Sequence, residues 1–167
     1  MKLSNIFKKS QKGNALSMSK GFTLIELLVV IGILAVLLAI TLIAINPARQ
    51  FSQANDTKRA SDANAILNAI NQFMADNKGA PPASITDTAT NIGKNEAGTL
   101  IDLCSVLAPT YIAVLPSDPL NGDTKGSIPD CAVATYDTKY QVMKSATGRI
   151  TVSATPEITG TTISVTR

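Results

Sequence analysis

A run of apolar residues from position 22 to position 45 constrains the fold of this chain more than any other feature. The run is 24 residues long, and Glu26 is its only charged residue. An α-helix of that length spans about 36 Å, which is enough to cross the roughly 30 Å hydrocarbon core of a bilayer. A carboxylate near that core costs about 2.5–3.5 kcal/mol on insertion scales unless it lies at the interface or finds a partner. The run therefore predicts a membrane-spanning helix in which Glu26 has a separate task.

The segment that precedes the run carries only positive charge. The whole chain has 15 basic and 12 acidic residues, but five of the basic residues fall within residues 1–21, so ten remain against 12 acidic residues in the rest. These five are Lys2, Lys8, Lys9, Lys12 and Lys20. The basic excess is therefore confined to this leader, which argues against a nucleic-acid-binding domain. By the positive-inside rule, the lysines place the N-terminus in the cytoplasm and the chain beyond the apolar run outside it.

The apolar run is too long for an ordinary secretory signal peptide. Such a signal has an apolar region of about 7–15 residues and a small-residue cleavage site of the A-x-A type. This run is longer and has no such pattern at its far end. We expect the apolar segment to be retained.

The chain has two cysteines, Cys104 and Cys131, and no histidine. Both cysteines lie on the side of the membrane where disulfides form, so a Cys104–Cys131 bridge is expected, with two buried free thiols as the alternative. The lack of histidine removes the commonest general base and the commonest nitrogen ligand of zinc. No G-x-S-x-G motif or P-loop is present. The sequence thus disfavours a membrane-anchored enzyme, although a serine–lysine pair cannot be read from spacing.

The pattern beyond the apolar run predicts an α+β domain. Asn46-Pro47 predicts a kink, and helical spacing of apolar residues predicts an amphipathic helix within residues 46–79. Residues 80–130 form a predicted connecting loop with a short helix at 99–107, and residues 131–167 alternate as strands do. The predicted strands are residues 136–143, 150–155 and 162–166. A sheet with one apolar face needs a cover, and the amphipathic helix is long enough to provide it.

The start of the apolar run resembles a known processing signal. The sequence Gly21-Phe22-Thr23-Leu24-Ile25-Glu26, followed by apolar residues, resembles the class III signal sequence of type IV pilins and type II secretion pseudopilins. The resemblance extends from the leader to about residue 77, and beyond that it concerns architecture only. It implies a type IV pilin-like fold, in which a long N-terminal helix packs on a three- to four-stranded antiparallel sheet. It also implies a single-pass protein of the bacterial inner membrane.

The resemblance implies a processing step and an assembly step. A prepilin peptidase would cut between Gly21 and Phe22, remove the leader of residues 1–21 and N-methylate Phe22. In the family, the glutamate that corresponds to Glu26 neutralises the N-terminal amine of a neighbouring subunit. A buried carboxylate and a buried ammonium are each costly alone and tolerable as a hydrogen-bonded pair. The implied partners are further copies of the chain, related minor pilins and the inner-membrane assembly platform.

Two residues in or beside the apolar run keep two interpretations each. Gly32 either permits close approach of another helix, as small residues do in membranes, or has no particular role. Pro47 either marks the place where the helix loosens on assembly or only interrupts it, because the helix-breaking proline of family members commonly lies earlier in the run.

The sequence carries features of both pilins and pseudopilins. The cysteine pair resembles the disulfide-bounded region of type IV pilins, whereas residues 111–119 resemble a segment of major pseudopilins. In major pseudopilins a loop near the terminal sheet holds calcium, which makes Asp118, Asp123 and Asp130 candidate ligands. Their spacing matches no EF-hand. The alternative to calcium binding is that these carboxylates are solvated or cap turns. No other cofactor is expected.

A minor pilin with an adhesive or DNA-uptake role is an alternative function. The part of the chain that follows the predicted amphipathic helix carries six basic residues that are scattered among acidic ones along the sequence. These six, all within residues 80–167, are Lys94, Lys125, Lys139, Lys144, Arg149 and Arg167, in addition to the four basic residues of the predicted amphipathic helix region. The scatter predicts a mixed solvated surface rather than a nucleic-acid stripe.

Overall fold

The structure, a computed structural model, describes residues 21–167. It divides into two compact units, of which the second runs from Ile45 to Arg167. Nearly all of the predicted leader, residues 1–20, lies outside the described residues.

Helix α1, Leu24–Ile45, accounts for almost all of the described residues of the first unit. None of its 22 residues is buried by any described part of the chain. At 1.5 Å per residue the helix is about 33 Å long. It is the one helix among residues 21–167 that is long and apolar enough to cross a membrane, as the sequence predicts.

The predicted break at Asn46-Pro47 is present. Asn46 has φ 46° and ψ 76°, a left-handed conformation that asparagine tolerates better than most residues. Its side-chain Oδ1 accepts a hydrogen bond from the N–H of Arg49 at 3.4 Å and so caps helix α2, Pro47–Asp76. Pro47 takes the first helical position, where its missing N–H is no loss. The chain therefore forms two helices rather than one continuous helix.

The predicted stop of the amphipathic helix is also present. The backbone N–H of Gly79 donates to the carbonyl of Met74 at 2.7 Å, and Lys78 and Gly79 both have positive φ. This pattern is that of a Schellman cap, in which a left-handed residue ends the helix and its orphan carbonyls are satisfied.

Six strands and a short third helix complete the second unit. In chain order they are β1 Thr90–Lys94, α3 Cys104–Leu107, β2 Leu115–Pro116, β3 Ser127–Ile128, β4 Tyr136–Lys144, β5 Ile150–Ala154 and β6 Ile163–Thr166. Strands β1, β4, β5 and β6 form an antiparallel sheet in the order β1-β4-β5-β6, while β2 and β3 form a separate pair. A disulfide joins Cys104 to Cys131, with Cα atoms 5.3 Å apart. The α+β class, the three C-terminal strands and the disulfide agree with the sequence-based expectations.

Strand β1 and the extent of α3 differ from the prediction. β1 lies inside the predicted loop of residues 80–130, and only four residues of the predicted helix at 99–107 are helical. The sequence of β1 has one large apolar residue, Ile92, so alternation could not reveal it. Gly93 is required there because a Cβ at this position would strike the backbone carbonyl oxygen of Tyr136 on the neighbouring strand.

Helix α2 covers the sheet as predicted. It packs against β5 and β6, and its Ile66, Leu67 and Ile70 are fully buried. Tyr140 and Val152 belong to the same core. Burial of one such side chain contributes about 1.5–3 kcal/mol, so this layer accounts for much of the stability of the second unit.

Candidate functional site

The predicted cleavage junction lies in accessible, non-helical backbone. Gly21, Phe22 and Thr23 precede the first residue of α1, and Phe22 is 85% exposed. Exposed segments without regular structure are the preferred sites of proteolysis. The structure therefore places the Gly21–Phe22 peptide bond where a protease can reach it, while cleavage itself stays a prediction.

Thr23 and Glu26 form a capping box at the start of α1. The N–H of Glu26 donates to Thr23 Oγ1 at 3.2 Å. In return, Glu26 Oε2 accepts hydrogen bonds from the Thr23 N–H at 3.0 Å and from the Thr23 hydroxyl at 2.8 Å. This reciprocal arrangement satisfies two backbone donors that the first turn of a helix would otherwise leave free. The sequence analysis missed it, although a threonine three residues before a glutamate at the head of an apolar run is its signature.

The capping box directs the Glu26 carboxylate toward the residues that precede the helix. All of its hydrogen bonds within the described chain go to Oε2, and Oε1 accepts none from residues 21–167. A carboxylate offers about four lone-pair sites, so it can cap the helix and accept another donor at the same time. Glu26 is therefore both held in place and open to a further partner.

The surface of α1 is uncovered along its whole length. Its large apolar side chains are 50–84% exposed, from Leu24 at 83% to Ile43 at 84%. Apolar surface of this extent is stable only against lipid or against other apolar helices. Around Gly32, no atom of residues 21–167 beyond its own helical neighbourhood lies within 4 Å of an added Cβ. Packing among these described residues does not require that glycine, and both interpretations of it remain.

A buried arginine ties the second unit together. Arg59, on α2, has no solvent exposure and donates to Asp118 twice, from Nε to Oδ2 at 2.6 Å and from Nη2 to Oδ1 at 3.1 Å. Its Nη1 donates to Asp56 Oδ1 and to Glu157 Oε1, both at 2.8 Å. Arginine suits this role because its planar fork binds carboxylates in a bidentate manner.

The carboxylates around Arg59 also organise the backbone. Asp118 Oδ1 accepts the N–H groups of Leu120 and Asn121, at 2.9 and 2.8 Å. Asp56 accepts the N–H groups of Glu157 and Ile158, at 2.9 and 3.0 Å. Burial opposes ionisation of both carboxyls, but these N–H groups and the Arg59 guanidinium outweigh it and hold the pKa of each below its ordinary value.

The sequence analysis did not identify Arg59 as a buried residue. A signal was present, because residues 59, 63, 66 and 70 follow one helical face and the last three are apolar.

The Leu115-to-Pro119 stretch of the pseudopilin-like segment has a structural role in the second unit. Leu115 and Pro116 form β2, and Asp118 binds Arg59.

The three calcium candidates do not form one site. Asp118 is engaged by Arg59, Asp123 Oδ2 accepts the N–H of Asp137 at 2.8 Å, and Asp130 Oδ1 accepts the N–H of Ala132 at 2.8 Å. Within residues 21–167, no three His, Cys, Asp or Glu side chains are grouped as a metal site requires. Calcium binding therefore stays an expectation of the resemblance, without a prearranged ligand set.

Replacement of Arg59 tests the clamp that it forms. Arg59→Met should lower the free energy of unfolding by about 3–5 kcal/mol, because it leaves buried carboxylates without their cation. Thermal and urea unfolding of the detergent-solubilised protein measure the change. Lys58→Met is the matched control, since the Lys58 side chain is 47% exposed and its pair with Asp62 should contribute at most about 1 kcal/mol. Equal losses in the two variants would contradict the assignment.

The same cluster predicts sensitivity to acid. The pKa values of Asp56 and Asp118 lie below their ordinary value of 3.8, so each carboxylate adds stability above that pH. This stability is lost as the pH falls through the lower folded-state pKa. Unfolding followed from pH 6 to pH 3 should show a decline below about pH 4 that is smaller in Arg59→Met. An unchanged pH dependence in that variant would argue against the coupling.

The comparisons with known proteins concern the N-terminal region. Residues 16–42 match a family model described as the prokaryotic N-terminal methylation motif. The matched range includes the predicted cleavage junction, the capping box and most of α1. No curated protein and no solved structure matches the chain. The residues that match the family model thus include most of α1, the helix whose apolar side chains are exposed.

Proposed function

We propose that this chain, whose methylation motif is characteristic of type IV pilin and pseudopilin prepilins, is a filament subunit that polymerises through α1. The motif, an apolar helix long enough to span a membrane and the α+β fold support a structural protein of pilin type. The observation that carries the proposal is an uncovered 22-residue apolar helix that begins with a hydrogen-bonded carboxylate. Such a helix suits two environments in turn, the bilayer before assembly and neighbouring helices after it.

Processing of the leader is the first step of the proposed function. The subunit is inserted in the inner membrane with its N-terminus in the cytoplasm, because the leader carries five lysines. A prepilin peptidase cuts after Gly21, which removes those charges and creates a new amine on Phe22. Loss of the lysines lets α1 leave the bilayer. The exposed junction supports this step, since a peptide bond must be extended and accessible to be cleaved.

Pairing of charges between subunits is the second step. The amine on Phe22 of one subunit and the carboxylate of Glu26 on its neighbour are each costly in apolar surroundings and tolerable together. In the described chain Glu26 Oε2 accepts from Thr23, so Oε1 is the oxygen that receives the amine. This pairing sets the register of helices whose apolar surfaces would otherwise slide past one another.

Partners follow from this mechanism. They are other copies of the chain, related minor subunits, the prepilin peptidase and an inner-membrane assembly platform. The mechanism is the same whether the product is a type IV pilus or a secretion pseudopilus, because both would use the N-terminal helix. The subunit has no catalytic task in it.

Replacement of Glu26 tests the assembly step. Glu26→Ala should leave the protein inserted in the membrane and cleaved after Gly21, yet filaments should be absent because the Phe22 amine of the neighbour has no acceptor. Mass spectrometry of the N-terminus reports cleavage, and electron microscopy of cells reports filaments. Thr41→Ala is the control, since the Thr41 hydroxyl donates only to the Leu38 carbonyl of its own helix. Normal filament yield from Glu26→Ala would refute the pairing.

Replacement of Thr23 tests how Glu26 is held. Thr23→Val removes the hydroxyl of the capping box, and loss of such a cap typically costs about 0.5–2 kcal/mol. We expect cleavage to continue and filament yield to fall to an intermediate level, because Glu26 is no longer held at the helix start. Thr23→Ser keeps the hydroxyl and should restore assembly. A Thr23→Val protein that assembles as well as Thr23→Ser would show that the cap does not position Glu26.

A further inference from the structure

Three basic side chains that are scattered in the sequence lie together at one end of the four-stranded sheet. Lys144 ends β4 and is the cross-strand partner of Ile150. Ile150 in turn exchanges both backbone hydrogen bonds with Arg167, at 2.7 and 3.0 Å, and Arg149 is its neighbour in the connecting turn. We call Lys144, Arg149 and Arg167 the basic end. The fold thus brings together three residues that the sequence analysis treated as scattered charges.

The side chains of the basic end form no ion pair with the side chains of other described residues. Within the described chain no other residue's side-chain carboxylate pairs with its three side chains within 4.0 Å, and the Arg167 side chain donates only to the amide oxygen of Asn68 at 2.6 Å. Arg149 and Arg167 are exposed. The Lys144 N–H donates to the carbonyl of Thr86, whose neighbour in the chain is Asp87, so this carboxylate belongs to the same end of the sheet. Even with Asp87 and an α-carboxylate on Arg167 counted, the net charge of this end is positive.

The opposite end of the sheet has the opposite sign. Asp56, Asp118 and Glu157 surround the single cation Arg59, which leaves two negative charges uncompensated in the cluster. Glu157 is the member that reaches solvent, with a side chain 25% exposed. Its Oε1 binds Asn55 and Arg59, and its Oε2 accepts no hydrogen bond from the described residues. We call this cluster the acidic end.

The two ends are separated along α2. Asp56 belongs to the acidic end, and Asn68, which binds Arg167, marks the basic end. Asn68 follows Asp56 by 12 positions on the helix, a distance of about 18 Å along the axis. The charges therefore do not neutralise each other within one molecule, since this separation exceeds the screening length of about 8 Å at physiological ionic strength.

We propose that the basic end of one copy binds the acidic end of the next copy in the filament, with Glu157 Oε2 as an acceptor. This inference rests on the proposed function, because it names a second contact between the subunits of that filament. A head-to-tail contact of two different surfaces repeats without closing, as a filament requires. Complementary charges set orientation and partner choice, while α1 supplies the apolar contact. The chain itself carries both surfaces, which favours a second copy over nucleic acid as the partner.

Charge reversal in the full-length protein tests this contact. Arg149→Glu with Arg167→Glu should reduce filament yield in cells by at least about tenfold, because like charges then meet at the contact. The control is Arg149→Lys with Arg167→Lys, which keeps both positive charges of the basic end and should leave the yield unchanged. Membrane insertion, cleavage and the thermal unfolding midpoint should be unaltered in both double variants.

Cysteine cross-linking gives a second, independent readout. Thr147 lies in the exposed turn beside the basic end, and the exposed Thr159 lies two residues after Glu157. Thr147→Cys with Thr159→Cys should give a ladder of cross-linked multimers under oxidation, because the two cysteines of one copy are too far apart to bond. Thr147→Cys alone and Thr159→Cys alone should give none, because like ends of two copies do not meet in a head-to-tail contact.

The outcomes separate this inference from the proposed function. A wild-type protein that is cleaved but forms no filaments would overturn both. Wild-type filaments, together with full yield from Arg149→Glu/Arg167→Glu and no ladder, would overturn the charged contact and leave the α1 mechanism intact. If the charge-reversed filaments form normally but lose salt-sensitive retention of a DNA fragment, the basic end serves nucleic acid and the contact between copies is refuted.

Discussion

The second unit of this protein depends on the buried guanidinium of Arg59. A cation without solvent exposure is stable only if carboxylates reach it, and here they come from three separate parts of the chain. Asp56 comes from α2 itself, Asp118 from the turn after β2, and Glu157 from the loop between β5 and β6. Those loops are therefore placed by electrostatics, whereas the helix and the strands are placed by apolar packing. The same demand concentrates negative charge at one end of the sheet.

The protein divides its energetic tasks between its two units. The second unit buries its apolar residues between α2 and the sheet and has a core of its own. None of the residues of helix α1 is buried among the described residues. Its apolar side chains suit lipid or other apolar helices, and its polar start is satisfied locally by the Thr23–Glu26 capping box. Under the proposed function, a subunit built in this way exchanges the surroundings of α1 without unfolding the rest.

The sequence predicted those elements whose pattern is local. The length of the apolar run predicted α1, Asn46-Pro47 predicted the break, and alternation predicted the strands that became β4, β5 and β6. Strand β1 was not predicted, because Thr90–Lys94 has one large apolar residue and pairs with β4 across more than 40 intervening residues. The burial of Arg59 was not predicted for a related reason, since a charged residue on a helix is ordinarily assigned to solvent. Only its distant partners Asp118 and Glu157 make its burial tolerable.

By itself the sequence determined that the chain has a long apolar helix with a carboxylate near its start, because helix length and charge are properties of neighbouring residues. It also determined the family resemblance of that region, which the match to the N-terminal methylation motif confirms. The tertiary structure decided where the charges of the second unit meet. Loop placement brings the carboxylates into contact with Arg59. Strand pairing brings Lys144, Arg149 and Arg167 to one end of the sheet. Electrostatic interactions depend on distance in space, which the order of residues along the chain does not specify.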